Sequence, residues 1–459
     1  MIFSFSRRSL AVLVFALISA SAAADKLEFQ QCVDIALRQN PELAINRAQI
    51  EQAEAAVRQA EGNKMPRVNL SLTLARSNDA LNAFGMKLGQ RDATFNDFGA
   101  GEFMASGDTA IAPQNLNHPK AVNNLNSRVE LLMPVYNGGM VQAYVDTAKA
   151  YVRAAQSGDV AARQQITKHI LMAYQGVHTA RAYIKLADEA GLAAEEFVRL
   201  SEKLHRQGMV VKSDVLSAKV NLEEIKLKRV EAKNAEAAAL NQLALLMGKS
   251  LDEALEVGEP VQPSLLPGSA ADLRQQAVND HPGLSAMRNQ INGATAQVTA
   301  ARAGKKPQFN VMLRQDWNDK NLGLDAASYM AAGVLSWSAF DGGVNNAGID
   351  RAAAQRAELV AKLRQAEEGI GYQVTEARRK ALEAEEKISA RSAGLEQAQE
   401  AQRLVKKRYE NGMATLIELL GAQAQLDKAH ADLVAARYEL AVNRAELKRA
   451  VGVLHQEHL

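Results

Sequence analysis

Few residues in this 459-residue chain are placed to do chemistry. Gly248-Lys249-Ser250 matches the end of a phosphate-binding loop, in which a glycine-rich turn offers backbone N–H groups and a lysine to a nucleotide. That motif also needs a glycine where Leu243 stands and a strand where the preceding pattern is helical. The eight histidines show no metalloprotease pairing, and His455 with His458 belongs to a polar tail. The single cysteine, Cys32, excludes an internal disulfide or a multi-cysteine metal centre. The residues before it, Phe29-Gln30-Gln31, are bulky and polar, which favours a helix-packing thiol over a lipid anchor. No catalytic residue, metal site, cofactor or enzymatic turnover is therefore expected.

The elements carry more information than any single residue. Arg7 and Arg8 precede an apolar run from Leu10 to Ile18 and the small residues Ala20-Ser21-Ala22-Ala23-Ala24, which reads as an export signal over 1–24 cleaved near Asp25. Ser6-Arg7-Arg8 resembles a twin-arginine signal, but so apolar a run favours general secretion. Without the signal the chain has 52 basic and 52 acidic residues, since 54 loses Arg7 and Arg8, and so balanced a charge argues against a nucleic-acid partner. Beyond the signal no apolar run is long enough for a transmembrane helix, so any membrane crossing must be made by strands.

The ten prolines leave 141–248 and 341–459 free of them. Proline costs roughly 3 kcal/mol inside a helix, so both stretches read as helical, each long enough for two antiparallel helices. In the second, Leu359, Leu363, Ala366, Ile370, Ala377, Ala381, Ala384, Ile388, Leu395 and Ala398 recur by threes and fours, an alanine-rich coiled-coil seam. A helix of about 60 residues would reach roughly 90 Å.

The chain also repeats itself. Asn40-Pro41-Glu42-Leu43 returns as His281-Pro282-Gly283-Leu284, and Met65-Pro66-Arg67 as Lys306-Pro307-Gln308, both displaced by 241 positions (281 against 40, 307 against 66). Tyr136-Asn137-Gly138-Gly139 returns as Phe340-Asp341-Gly342-Gly343, and the Gly208-Met209 tip as Gly412-Met413, displaced by 204 (342 against 138, 412 against 208). The difference between 241 and 204 is an insertion of 37 residues in the first half, expected as an irregular surface loop.

The expected layout is a first repeat over 25–248, with strands at about 67–76 and 126–136, an inserted loop 77–125 and a helical hairpin with its tip at 206–216. A proline-containing linker, 249–270, leads to a second repeat over 271–455, with strands at about 307–317 and 329–340, a tip at 408–420 and a tail 456–459. In the strands Val68, Leu70, Leu72 and Leu74 alternate with Asn69, Ser71 and Thr73, and Val129, Leu131 and Met133 with Arg128 and Glu130. Phe309, Val311, Leu313 and Trp317 likewise alternate with Asn310, Arg314 and Asp316. Such a period of two, over about ten residues, suits a tilted membrane strand with lipid on one side and a lumen on the other. Four strands cannot close a barrel, so several copies must share one; three would give twelve strands. The fold class is thus mainly α with a small β part. The competing reading is a periplasmic coiled-coil scaffold or adaptor that never enters a membrane.

Two halves that each run helix, strand, loop, strand, long helix, tip and helix, with these marks in order, resemble the TolC family of outer membrane efflux proteins over nearly the whole mature chain. The resemblance implies a homotrimer in outer membrane lipid, with a twelve-stranded barrel, a periplasmic tunnel, and a passive gated channel for efflux or type I secretion. It also implies a periplasmic adaptor and an inner-membrane pump of RND or ABC type. By similarity Gly208, Ser213, Asp214, Gly412, Thr415 and Glu418 are adaptor contacts, and Asp214 and Tyr409 entrance-closing residues; Glu418 is a candidate to line the constriction by its own charge, not by similarity. Ser213 and Thr415 also suit helix caps after the tip glycines. Ala414 and Gly421 stand where well-known members place an arginine and an aspartate, which puts a salt-bridged lock and an acidic ring in doubt.

Overall fold

The computed structural model describes residues 26–454. The export signal, His455 and His458 lie outside them. In chain order come α1 (Phe29–Gln39), α2 (Pro41–Gly62), β1 (Arg67–Ser77), α3 (Ala80–Gly89), a 3-10 turn (Phe95–Phe98), α4 (Ala100–Ser106), α5 (Gln114–Asn117), β2 (Val122–Tyr136), α6 (Met140–Arg206) and α7 (Lys212–Met247). Then follow α8 (Ala270–Asp280), α9 (Pro282–Ala303), β3 (Gln308–Asp319), β4 (Ala327–Ser336), α10 (Val344–Glu410) and α11 (Leu416–Val451). α1 and α8 are both 11 residues long, α2 and α9 both 22, α6 and α10 both 67, and α7 and α11 both 36, lengths compatible with a duplication.

Local chemistry explains the recurring marks. Asn40 breaks α1 from α2: its side-chain oxygen accepts from the Glu42 N–H at 2.8 Å, and Pro41 takes the first helical position, where a missing N–H costs nothing. His281 does the same for α9, its Nδ1 accepting from the Gly283 N–H at 3.1 Å beside Pro282. The strand-to-helix turns use paired glycines at positive φ, +66° and +89° at Gly138 and Gly139, +63° and +94° at Gly342 and Gly343.

The rods follow the expected seam in part. Ala377, Ala381, Ala384 and Ala398 are buried, whereas Leu359, Leu363, Ala366 and Ile370 are only half-buried in a single chain. At 67 residues, α6 and α10 each extend about 100 Å. Midway along them α1, α7 and α11 pack on α6, and Phe29, Cys32, Tyr174, Leu243 and Met247 form the main core. Cys32 is fully buried there, and burial pushes its thiol up to about 11, as suits a packing group.

All four strands join one antiparallel sheet in the order β1-β2-β3-β4. The register puts Leu70 beside Val129 and Leu131 beside Leu313 on one face, and Asn126 beside Asn318 and Arg128 beside Asp316 on the other. The alternation therefore survives across strands.

Three expectations are corrected. β4 stops at Ser336 rather than 340, because the Trp337 indole N–H turns aside to donate to the Lys305 carbonyl at 3.0 Å. The insertion is no irregular loop: it holds three short helices and a 3-10 turn, capped by Asp79 and Thr94 and held by an edge-on Phe84–Phe98 contact at 4.6 Å. Ser213 caps nothing, since α7 begins one residue earlier with Val211 at the N-cap.

Candidate functional site

The site has two ends, the sheet and the helical tips. On the sheet's polar face, Asp316 is 5% exposed although the chain stands alone. Its Oδ1 accepts from Arg128 Nε at 2.7 Å and from Asn126 Nδ2 at 3.2 Å, while Oδ2 lies 2.6 Å from Arg314 Nε. Asn318 Oδ1 accepts from Asn124 and Asn126 at 3.1 and 3.0 Å. Glu130 stands opposite Arg314 in the register. This face is a charge-balanced, hydrogen-bonding wall that water can line. The other face is mainly hydrocarbon, broken by Ser127 and Gln315, with Leu70 77% exposed and Val68, Leu72 and Leu74 exposed beside it.

At the far end of the rods each tip is a glycine-stopped hairpin, with φ of +69° at Gly208 and +68° at Gly412. Thr415 caps α11, and Thr415 with Glu418 makes a reciprocal capping box, Oγ1 accepting from the Glu418 N–H at 3.2 Å. Glu418 also lies 3.6 Å from Arg408 Nη2, and Arg408 donates to the Met413 carbonyl at 3.2 Å, so this carboxylate is engaged within its own hairpin.

The two hairpins are fastened together just above the tips. Tyr409 on α10 and Ser201 on α6 are both buried, and their hydroxyls meet at 2.9 Å. Burial pushes the Tyr409 pKa up, the Ser201 hydrogen bond opposes that, and the charge of Asp214 adds to it. Phe197, Leu204, Ala218, Leu416 and Leu419 surround the pair. Lys406 Nζ donates to Glu196 Oε2 at 2.9 Å, a second tie between α10 and α6. Ala414 packs against the apolar cluster. Gly421 is exposed, with open space where a side chain would project.

Higher up, a cleft of about 590 Å³ separates the hairpins, lined by Tyr183, Ile225, Lys228, Gln423 and Asp427 among others. Burial raises the Asp427 pKa against the opposing hydrogen bond that Gln423 Nε2 donates at 2.8 Å.

Of the residues picked from sequence, Gly208, Ser213, Gly412, Thr415 and Glu418 are exposed at the tips and Asp214 is half-buried. Tyr409 is brought to Ser201, a partner that no spacing reveals because the two are 208 residues apart in the chain. Asp316 and Arg128 were visible as polar members of alternating strands, but not their pairing. Gly248-Lys249-Ser250 is a helix stop: Gly248 ends α7 at φ +71°, and Lys249 donates to Glu253 at 2.5 Å.

Comparison with known proteins agrees with this geometry. The sequence profile of the family described as "Outer membrane efflux protein" matches residues 32–249 and 273–453. Protein CyaE of Bordetella pertussis is 26% identical over 446 residues, which are 94% of this chain and 84% of that protein. Outer membrane protein OprJ of Pseudomonas aeruginosa is 23% identical over 411 residues, 86% of this chain and 78% of that one. Among solved structures, the outer membrane protein VceC of Vibrio cholerae superposes with a TM-score of 0.75 at 19% identity, covering 92% of this chain and 96% of VceC.

Proposed function

The chain belongs to the outer membrane efflux protein family, and from that membership we propose that three copies close one twelve-stranded barrel and continue it as a single tunnel. The protein is an outer-membrane channel of an efflux or secretion system, with its helical part in the periplasm.

One observation carries the shared barrel: a four-stranded sheet with an exposed apolar face and two unpaired edges. In hydrocarbon each unpaired backbone group costs several kcal/mol, so β1 of one copy must pair with β4 of the next until the cylinder closes. A water-borne scaffold has no use for such a face, which counts against the rival reading. The internal resemblance of the halves makes the tunnel nearly six-fold, with 25–248 and 271–455 as its two repeats.

The working parts are then assigned by position. Gly208, Ser213, Asp214, Gly412, Thr415 and Glu418 meet a periplasmic adaptor, and Asp214, Tyr409 and Glu418 act in closing the entrance. Energy comes from an inner-membrane pump of RND or ABC type.

Detergent extraction followed by mass measurement tests the assembly. The expected result is a species of three copies, found in the outer-membrane fraction and insoluble without detergent. A stable water-soluble monomer would remove the proposal.

A further inference from the structure

The insertion between β1 and β2 leaves the strands at the end opposite the helices, and it does not trail away from them. Gly89 sits over Asn318, with a Cβ there only 3.5 Å from the Asn318 side chain. Gln90 is buried, its Nε2 donating to the Asn123 carbonyl at 2.6 Å and to Asn124 Oδ1 at 2.9 Å. Arg91, at a φ of +57° that a non-glycine residue rarely adopts, donates from Nη2 to the Ala327 carbonyl of β4 at 2.6 Å. Asp92 pairs with Lys320 in the β3–β4 connection. Residues 89–92 thus touch β3, β2, β4 and the β3–β4 connection at the outer ends of the strands, and Asn124 and Asn318 belong to the polar face. The remainder of the insertion is ordered by its own contacts: Lys87 pairs with Asp97, and Glu102 accepts from the Gln114 and Asn115 N–H groups at 2.8 and 3.1 Å.

Despite that order, Leu81, Phe95 and Met104 remain 81%, 85% and 82% exposed. These residues project from a unit that spans the sheet from edge strand to edge strand, so it reaches both junctions where neighbouring copies pair.

We infer that residues 78–121 form an outer gate: each copy roofs its own third of the barrel mouth on the polar side, and the exposed apolar residues Leu81, Phe95 and Met104 find their partners on the neighbouring copies' insertions. The inference rests on the trimeric channel proposed above. It adds a second, size-selecting closure at the end of the duct away from the tips, fastened by Gln90 and Arg91.

Thiol accessibility from outside intact cells tests the gate without passing through the tip entrance. Ser71 lies on the polar face of β1, opposite Arg128 and below the insertion, and is exposed in the single chain. Ser71→Cys is treated with a small charged methanethiosulfonate or with a maleimide on a bulky polyethylene glycol. Three backgrounds are compared: no other change, Gln90→Ala with Arg91→Ala, and Phe95→Ser with Met104→Ser, each checked for trimer in the outer membrane.

The expected result is that the small reagent reacts in all three, while the bulky one is excluded from the first. In the other two the bulky reagent should react faster by about tenfold or more, as the loss of three hydrogen bonds implies for the anchor variant. Equal reaction of both reagents in the first background overturns the gate, and unchanged exclusion in the other two overturns its anchors and its copy-to-copy contact. Failure of both reagents in all three backgrounds, despite trimers in the membrane, would instead bring down the channel reading beneath it.

Discussion

The hydroxyl of Tyr409 and the hydroxyl of Ser201 meet at 2.9 Å inside an apolar cluster, tying α10 to α6 one to two turns from the tips. Both groups are out of water, so neither can exchange its partner for solvent without opening the hairpins. Tyr409→Phe leaves the Ser201 hydroxyl buried and unpaired at a cost of about 1–3 kcal/mol, whereas removing both hydroxyls is far milder. Tyr409→Phe should therefore raise single-channel leak and uptake of a bulky antibiotic, and Ser201→Ala with Tyr409→Phe should recover much of the tightness. A double variant as leaky as the single one would deny the pair this role.

Glu418 has two jobs that can be separated. Its box with Thr415 organises the start of α11, and its pairing with Arg408 joins two half-exposed charges, an arrangement worth little in water. Glu418→Gln keeps the box and should melt within a degree or so of the parent, while Glu418→Ala should lose about 1 kcal/mol. Equal losses in the two variants would show that the charge, not the cap, matters.

Asp316 offsets two guanidinium groups on the polar face of the sheet. Asp316→Asn retains an acceptor but removes the charge in every copy, leaving Arg128 and Arg314 with only Glu130 to offset them on this face. Reversal potentials under a potassium chloride gradient should move towards chloride preference. An unmoved potential would mean that this face does not line the ion path.

Gly138 and Gly208 have nearly equal positive φ, +66° and +69°, but different surroundings. A Cβ at Gly138 would fall 2.9 Å from the Ala303 carbonyl oxygen, whereas at Gly208 nothing lies within 4 Å. Gly208→Ala should cost only the backbone strain of about 1–2 kcal/mol, and Gly138→Ala distinctly more. Thermal melting of the two purified trimers ranks them, and the reverse order would contradict the packing.

Glu446 should contribute to the acid sensitivity of the helical part. Burial there raises its pKa, but hydrogen bonds from Arg449 and Lys168 outweigh burial and hold the carboxyl below its ordinary value. A lowered pKa in the folded state stabilises above the ordinary carboxylate range, and that stability disappears as pH falls through the folded value. The parent should thus lose more thermal stability than Glu446→Gln does as pH is lowered through the ordinary carboxylate range and on below it, as differential scanning calorimetry would show. Parallel losses would place the acid sensitivity elsewhere.

What could be read from sequence was whatever repeats along one element. The proline gaps gave the rods, and the alternation through Leu70 and Leu131 gave the strands, because each is a local response to backbone geometry. The β4 end was misplaced because Trp337 leaves the sheet for a carbonyl 32 residues away. Ser201 and Gln90 went unseen for the same reason: a serine in a helix and a glutamine in a polar stretch carry no mark of the partner that buries them. The insertion looked irregular because its helices are too short to show a period, and it is ordered by caps and by Phe84 on Phe98.

Equal shaft lengths have a geometric consequence. With 67 residues descending and 36 returning in either hairpin, both turn at the same depth, so a ring built from three such chains would present six ends in one plane. A level rim of that kind suits a partner that seats squarely on all six at once, and an added or deleted turn in a single shaft would leave it standing unevenly.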